Sequence, residues 1–159
     1  RKEGILLEEP IFSNLSIVNL SKFCNRIGFI RKKEERCKAR ITIDKLGINT
    51  PNELKKVALL SGGNQQKVSV GKWLAAQASV YILDEPTKGV DVGAKQDIFK
   101  LIGQLAAEGK AILYATCEYN ELLGISDRIY VMYNKRVVCE LETKKTNEKE
   151  ILLLSTGGK

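Results

Sequence analysis

A short apolar segment that ends in two adjacent acids, VYILDE at residues 80–85, constrains the fold of this chain more than any other feature. Its apolar residues predict a buried β-strand, and Pro86-Thr87 after it force the chain to turn. Asp84 and Glu85 are therefore expected at the carboxyl end of the strand. In α/β proteins that end opens into the crevice where a nucleotide and its magnesium bind. A helix-capping acid after a buried strand is the plainer alternative.

The second informative segment is LLSGGNQQK, at residues 59–67. Ser61 followed by Gly62 and Gly63 predicts a turn that opens a helix. The backbone N–H groups and the positive dipole end at such a turn suit a phosphate. The alternative is an ordinary helix start, in which Ser61 caps the helix and the glycines only make the turn.

Apolar periodicity divides the chain into two regions. Residues 11–58 are polar-rich and helical, and the expected helices are 14–24, 31–46 and a short one from Thr50-Pro51 to Val57. From Ser61 onward helices and strands alternate, which predicts an α/β fold with a mainly parallel sheet. The expected strands are 80–83, 111–116, 129–133 and 137–141, with a tight hairpin at Asn134-Lys135. Three helices are expected here: one opens at the Ser61 turn, and the other two cover 92–108 and 147–154.

Composition narrows the function less than these segments do. The chain has 159 residues and a net charge of +7, with a basic excess spread between apolar positions. It has no histidine, and its cysteines form no CxxC pair, so a zinc site would need cysteines and carboxylates alone. The most apolar long stretch, 68–83, is too short for a bilayer span. Because the chain starts at Arg1 and its only methionine is Met132, we expect a fragment or a processed piece.

The two segments together resemble motifs of the ATP-binding-cassette (ABC) ATPases. Residues 60–68, LSGGNQQKV, resemble the family's signature motif, and 80–91 resembles its Walker B strand and D-loop. With 116–132, these segments resemble the second cassette in the tandem ATP-binding subunits of bacterial monosaccharide importers of the ribose, galactose and xylose type. The resemblance implies a P-loop NTPase-like ABC ATPase fragment over 1–159. Its helical subdomain would be 11–58, and 59–159 would hold the motifs and the last strands.

The same resemblance implies a role for each candidate residue. Glu85 would polarise the attacking water as general base, and Asp84 would steady Mg²⁺ through water. The residues implied to contact ATP bound on a facing cassette are those of the signature motif and the D-loop: Ser61, Gly62, Gly63, Asn64, Gln65 and Asp91. The alternative role of Asp91 is to cap the helix that follows it.

Two features depart from the general pattern of ABC cassettes: the residue at position 117 and the absence of a phosphate loop. Cys117 stands where ABC cassettes in general place a histidine, which the second cassette of these importers commonly lacks too, and the residues alone favour a small buried thiol at a strand end. No G-x-x-x-x-G-K-[ST] phosphate loop occurs in the chain, so the Walker A strand and loop are lacking. We therefore expect the isolated chain to bind nucleotide weakly and to be marginally stable.

The implied function is ATP hydrolysis that drives monosaccharide import, with ATP and Mg²⁺ as cofactors. The implied partners are a second ABC cassette, transmembrane permease subunits and, indirectly, a periplasmic or lipoprotein sugar-binding protein, but no nucleic acid. The implied location is the cytoplasmic face of the cell membrane. Two alternatives stay open: a soluble ABC ATPase of translation or DNA repair, and a non-catalytic cassette remnant. Repair cassettes carry long heptad arms, for which 31–46 is too short.

Overall fold

The computed structural model describes residues 4–158, in which helices alternate with short strands. The helices are α1 (Ile11–Ser16), α2 (Lys32–Lys45), α3 (Gly62–Leu74), α4 (Val92–Ala107), α5 (Tyr119–Ile125) and α6 (Glu148–Ser155). The strands are β1 (Val80–Asp84), β2 (Ala111–Ala115), β3 (Arg128–Tyr133) and β4 (Arg136–Glu142). Short 3₁₀ segments cover Ile17–Phe23, Val57–Leu59 and Thr143–Lys145. The predicted α/β class is confirmed.

Two compact units make up the described chain. The first comprises the described residues up to Tyr81 together with Pro86–Ile112, and the second comprises Ile82–Glu85 with the residues from Leu113 onward. The division therefore passes through β1 and β2, which pair with each other. Ala111 N–H donates to Ser79 O at one end of this pair and Glu85 N–H donates to Ala115 O at the other. Because both strands advance together, the pair is parallel.

Helices α1, α2 and α3 form the core of the first unit. Ile11, Val57 and Val68 are completely buried there. Gly71 lets α3 approach its neighbours closely, because a Cβ at this position would lie 3.0 Å from Leu15 Cδ2 and closer still to Leu46. Helix α2 ends at Lys45, close to the predicted end at residue 46. Gly47 follows it with a φ of 56°, in the left-handed region.

An ion cluster around a buried carboxylate joins α2 to the segment that follows it. Glu53 is 2% exposed and accepts hydrogen bonds from the guanidinium groups of Arg36 and Arg40 at 2.8–2.9 Å. The hydrogen bonds from Arg40 are the largest influence on this carboxyl, and its pKa falls from 4.5 to about 2. A buried carboxylate paired in this way is stable only while both arginines stay in place.

The second unit is built on an antiparallel hairpin. Strands β3 and β4 pair with a register shift between Val131 and Met132, and the predicted turn at Asn134-Lys135 is confirmed by positive φ angles of 47° and 64°. Helices α5 and α6 cover this hairpin around a core of Ile129, Val131 and Ile151.

Three expectations are corrected. The short helix from Thr50-Pro51 to Val57 is wrong: this segment forms turns, because Ile11 N–H donates to Lys55 O and Val57 N–H donates to Glu9 O. Helix α5 was not predicted. In the described residues the strands form two separate two-stranded sheets instead of one, one parallel and one antiparallel.

No helix within 4–158 has the length and apolarity needed to cross a membrane.

Candidate functional site

The serine-glycine turn lies at the start of α3. Ser61 is the N-cap residue and Gly62 is the first helical residue, and both are exposed. The Ser61 hydroxyl caps no backbone N–H; it accepts a hydrogen bond of 2.9 Å from the Asn64 side-chain amide. The alternative in which the Ser61 side chain caps the helix is therefore wrong. An exposed hydroxyl beside the first N–H groups of a helix is an arrangement suited to an anionic group.

The next polar side chains of α3 hold the turn that ends α2. Asn64 Oδ1 accepts the Asn49 N–H at 2.9 Å, and Lys67 Nζ donates to Gly47 O at 2.9 Å. Lys67 also pairs with Asp97 of α4 at 2.7 Å, and its hydrogen bond lowers the pKa of that carboxyl. Since Lys67 is buried, this pair fixes α3 against both α2 and α4.

The two glutamines of the motif turn toward backbone groups of the first unit. Gln65 Nε2 donates to Val57 O and Leu60 O, each at 3.2 Å. Gln66 Nε2 donates to Pro86 O at 2.6 Å. The side-chain amide of Gln65 therefore braces the segment before the turn, and any role of this residue at a phosphate would fall to its backbone.

Gly63 brings the signature turn against the start of α4. A Cβ at Gly63 would lie 2.9 Å from Ala94 Cβ and 3.0 Å from Asp91 Oδ2, so only glycine fits. Asp91 is the N-cap of α4, and its Oδ1 accepts the Ala94 N–H at 2.9 Å. The capping role expected for Asp91 is confirmed. The structure thus brings residues 61–65 and Asp91 together in the first unit.

The acidic pair lies at the end of β1, in the second unit. Asp84 is exposed and Glu85 is half-buried. Glu85 has a φ of 46°, in the left-handed region that a glutamate rarely adopts. Its Oε1 accepts the Cys117 N–H at 3.1 Å. Cys117 is exposed, so the expectation of a small buried thiol is wrong, and it is the backbone of this residue that contacts the acid.

A polar network that the sequence pattern does not predict lies beside this contact. Glu121, which is 6% exposed, accepts hydrogen bonds from Tyr114 Oη at 2.6 Å and Thr116 Oγ1 at 3.2 Å. Thr116 Oγ1 also accepts the Glu118 N–H at 3.0 Å. Glu121 lies on a helix that was not predicted, and its spacing from Glu118 matches no motif. Only the structure therefore reveals its role in this network.

The acids fit a magnesium ion bound mainly through water and phosphate. Within residues 4–158 no three acids, cysteines or histidines gather as metal ligands. Mg²⁺ commonly takes only one or two carboxylates and keeps several waters. The exposed carboxylate of Asp84 at the strand end suits that requirement, and the exposed Ser61-Gly62 turn suits a phosphate.

Comparison with known proteins gives consistent matches. The family model described as "ABC transporter" matches residues 4–88. The ribose import ATP-binding protein RbsA of Clostridium perfringens (strain 13 / Type A) is 43% identical over 99% of this chain, and the galactose/methyl galactoside import ATP-binding protein MglA of Escherichia coli (strain K12) is 42% identical over 98%. The chain spans 31% of the length of each of these relatives.

Solved structures match in fold. A nucleotide-free ATP-binding cassette from an ABC transporter has a TM-score of 0.74 at 26% identity, covering 96% of this chain and 61% of that one. The dimeric structure of MJ0796, a bacterial ABC transporter cassette, has a TM-score of 0.75 at 21% identity, covering 90% of this chain and 60% of that one. This second similarity bears on the fold alone.

Proposed function

The chain belongs to the ABC transporter family, and we propose on that premise that it is part of the ATP-hydrolysing motor of a monosaccharide importer. The observation that carries the proposal is the exposed Ser61-Gly62 turn, which Gly63 packs against the start of α4. Relatives named as ribose and galactose import ATP-binding proteins match nearly the whole chain, which favours monosaccharides as the cargo.

The signature turn would complete a nucleotide site on a second cassette. Two groups would hold the terminal phosphate there: the Ser61 hydroxyl and the Gly62 N–H at the positive end of α3. Asn64 fixes the direction of the hydroxyl through its 2.9 Å hydrogen bond. Asp91 holds the start of α4 beside the turn, so both helix ends would meet the partner cassette together.

The acidic pair would serve the nucleotide site on its own side. When bound, MgATP supplies the phosphoryl group that passes to water. Asp84 would hold the magnesium through water, and Glu85 would accept a proton from the attacking water as general base. The Cys117 N–H keeps the Glu85 carboxylate in one orientation.

Residues 11–58 would form the helical subdomain that meets the transmembrane permease. Their helices α1 and α2 share one buried core with α3, so movement at the signature turn would reach them directly. The whole protein would then act at the cytoplasmic face of the membrane, with a periplasmic or lipoprotein binding protein delivering the sugar to the permease.

A cassette that completes its partner's site without hydrolysing ATP itself is the second candidate. The position of Cys117 favours it, because a thiol is a poor hydrogen-bond donor where other cassettes place a histidine.

Hydrolysis and sugar uptake by the full-length protein with its permease in proteoliposomes test the proposal. Glu85→Gln should lower ATP hydrolysis and uptake of labelled ribose or galactose by at least about 100-fold if Glu85 is a base. The matched control is Glu140→Gln, which removes an exposed acid paired with Arg128 on the hairpin and should change neither. Sugar uptake that persists in Glu85→Gln, but stops when a bulky substitution at Ser61 blocks the turn, would select the non-catalytic candidate. Wild-type protein that shows neither hydrolysis nor uptake contradicts the proposal.

A further inference from the structure

The contact between Glu85 and Cys117 continues the β1–β2 ladder in an unusual way. Ala111 N–H donates to Ser79 O and Glu85 N–H to Ala115 O, and in this register the next donor is the Cys117 N–H. A regular parallel ladder would bring that N–H to the main-chain carbonyl of Glu85. Glu85 has instead left the extended conformation, with a φ of 46°, and its carboxylate lies at 3.1 Å from the Cys117 nitrogen. The side chain takes the place of a ladder carbonyl.

The side chain of Thr116 closes the turn that contains this N–H. Its hydroxyl oxygen accepts the Glu118 N–H at 3.0 Å, which spans Cys117 from one side to the other. Side-chain hydrogen bonds of this type hold a threonine and the backbone two residues on in one conformation. The direction of the Cys117 N–H is therefore set by the Thr116 rotamer.

Glu121 in turn fixes that rotamer. Its carboxylate is buried, and its Oε2 accepts the Thr116 hydroxyl at 3.2 Å and the Tyr114 hydroxyl at 2.6 Å. With its proton committed to Glu121, the Thr116 hydroxyl must present a lone pair to the Glu118 N–H. A hydrogen-bonded network centred on a buried carboxylate restricts each member to one geometry.

We infer that Thr116 and Glu121 are positioning residues for Glu85: they build the turn whose Cys117 N–H holds the Glu85 carboxylate in one orientation. The inference rests on the proposed function for its effect on hydrolysis. It assigns to the backbone of residue 117, and to the α5 side chain beneath it, the task of orienting the general base.

The amide of Cys117 reports the contact directly, whatever the rate of hydrolysis. In the full-length protein labelled with [¹⁵N]cysteine, its signal is identified by its loss in Cys117→Ser, and Glu85→Ala gives its position without the acceptor. Thr116→Val and Glu121→Gln should each move the signal toward that position and speed its hydrogen exchange about tenfold. Thr116→Ser, which keeps the hydroxyl, should restore both values. An unmoved Cys117 signal in Thr116→Val and Glu121→Gln overturns the inference.

Kinetics separate failure of the inference from failure of the proposed function. Thr116→Val should lower kcat for ATP about 10- to 100-fold with little change in KM, because a misplaced base slows the chemical step and not binding. The control is Thr143→Val, which removes a hydroxyl paired with Ser126 at 3.1 Å in the same unit and should leave kcat unchanged. If Glu85→Gln hydrolyses ATP at the wild-type rate, the role of general base proposed for Glu85 fails. If Glu85→Gln is inactive but Thr116→Val and Glu121→Gln turn over normally, or if Thr143→Val is as slow as Thr116→Val, the positioning inference alone is overturned.

Discussion

Asn64 donates a hydrogen bond of 2.9 Å from its side-chain amide to the hydroxyl of Ser61, three residues before it on the same turn. The same side chain accepts the Asn49 N–H through its oxygen. Asn64 therefore ties the exposed serine to the segment after α2, and the signature turn has one defined shape before any partner arrives. Pre-organised groups of this kind bind a ligand at a lower entropic cost.

Replacing Asn64 separates its two contacts. Asn64→Asp keeps an acceptor for Asn49 but loses the donor to Ser61, whereas Asn64→Ala loses both. We expect Asn64→Ala to lower the free energy of unfolding by about 1–2 kcal/mol and Asn64→Asp by less. Urea unfolding of the full-length protein measures this difference. Asn120→Ala, at an exposed position on α5, should cost less than either, and an equal cost at Asn120 would contradict the assignment.

Gly63→Ala should destabilise the protein because its Cβ meets the start of α4. The added methyl would lie 2.9 Å from Ala94 Cβ, so we expect a loss of about 1–3 kcal/mol in the free energy of unfolding. Gly103→Ala, on α4, is the matched control: no heavy atom lies within 4 Å of its Cβ position, and helix propensity favours alanine there. Thermal melts should show a lower Tm for Gly63→Ala and an unchanged or higher Tm for Gly103→Ala. Equal shifts in both would show that the close approach is not the cause.

Lys67→Met tests the connection of α3 to α2 and α4. Methionine keeps most of the volume but loses the bonds to Gly47 O and Asp97, and we expect a cost of about 1–3 kcal/mol. The pKa of Asp97 should rise toward its ordinary value, because the Lys67 hydrogen bond is the largest cause of its lowering. An NMR titration of the carboxyl measures that rise. Lys100→Met removes a more distant and exposed ammonium, 3.9 Å from Asp97, and should have the smaller effect on both quantities.

Glu53 should make stability depend on pH in the acid range. Its pKa is about 2 in the folded chain and 4.5 without its partners, so its contribution is fully present above about pH 4.5 and is lost as pH falls toward 2. Glu53→Gln should be less stable than the wild type at pH 7, and the difference should shrink as pH falls through this window. Urea midpoints at pH 7, 4 and 3 measure it. Glu34→Gln, at an exposed ion pair with Arg31, should cost less than Glu53→Gln at pH 7, and a constant difference for Glu53→Gln would contradict the assignment.

Local signals account for what the sequence predicts well. The apolar run before Asp84 predicts β1, Asp91 predicts the start of α4, and Asn134-Lys135 predicts the β3–β4 turn, because each depends on a few adjacent residues. The residues of the signature turn are found for the same reason. The contacts that these residues make cannot be predicted in this way, since nothing in the adjacent sequence indicates that Asn64 contacts Asn49.

Contacts between distant segments explain the errors. The segment from Thr50-Pro51 to Val57 begins with a proline suited to the first turn of a helix, but its backbone pairs with residues 9–11 instead, so tertiary contacts override the local preference. Glu53 appears in the sequence as one acid of a polar stretch, although it is buried and paired with two arginines of α2. Thr116 and Glu121 were missed because their significance depends on a register between β1 and β2 that no single segment encodes.

The proposal that the Ser61-Gly62 turn completes the nucleotide site of a second cassette also suggests how to test it. Ser61 and Gly62 would meet the terminal phosphate of ATP bound by the partner cassette, so a reactive group on that phosphate should reach this turn.

The most direct measurement uses ATP with a photoreactive group on its terminal phosphate. The full-length protein with its permease is illuminated in the closed, nucleotide-bound state, digested, and the labelled peptides are identified by mass spectrometry. We predict labelling of the peptide that contains Ser61 and Gly62, and its loss when the partner cassette's nucleotide site is blocked. Labelling of other peptides of the protein with none at residues 59–67 would contradict the account.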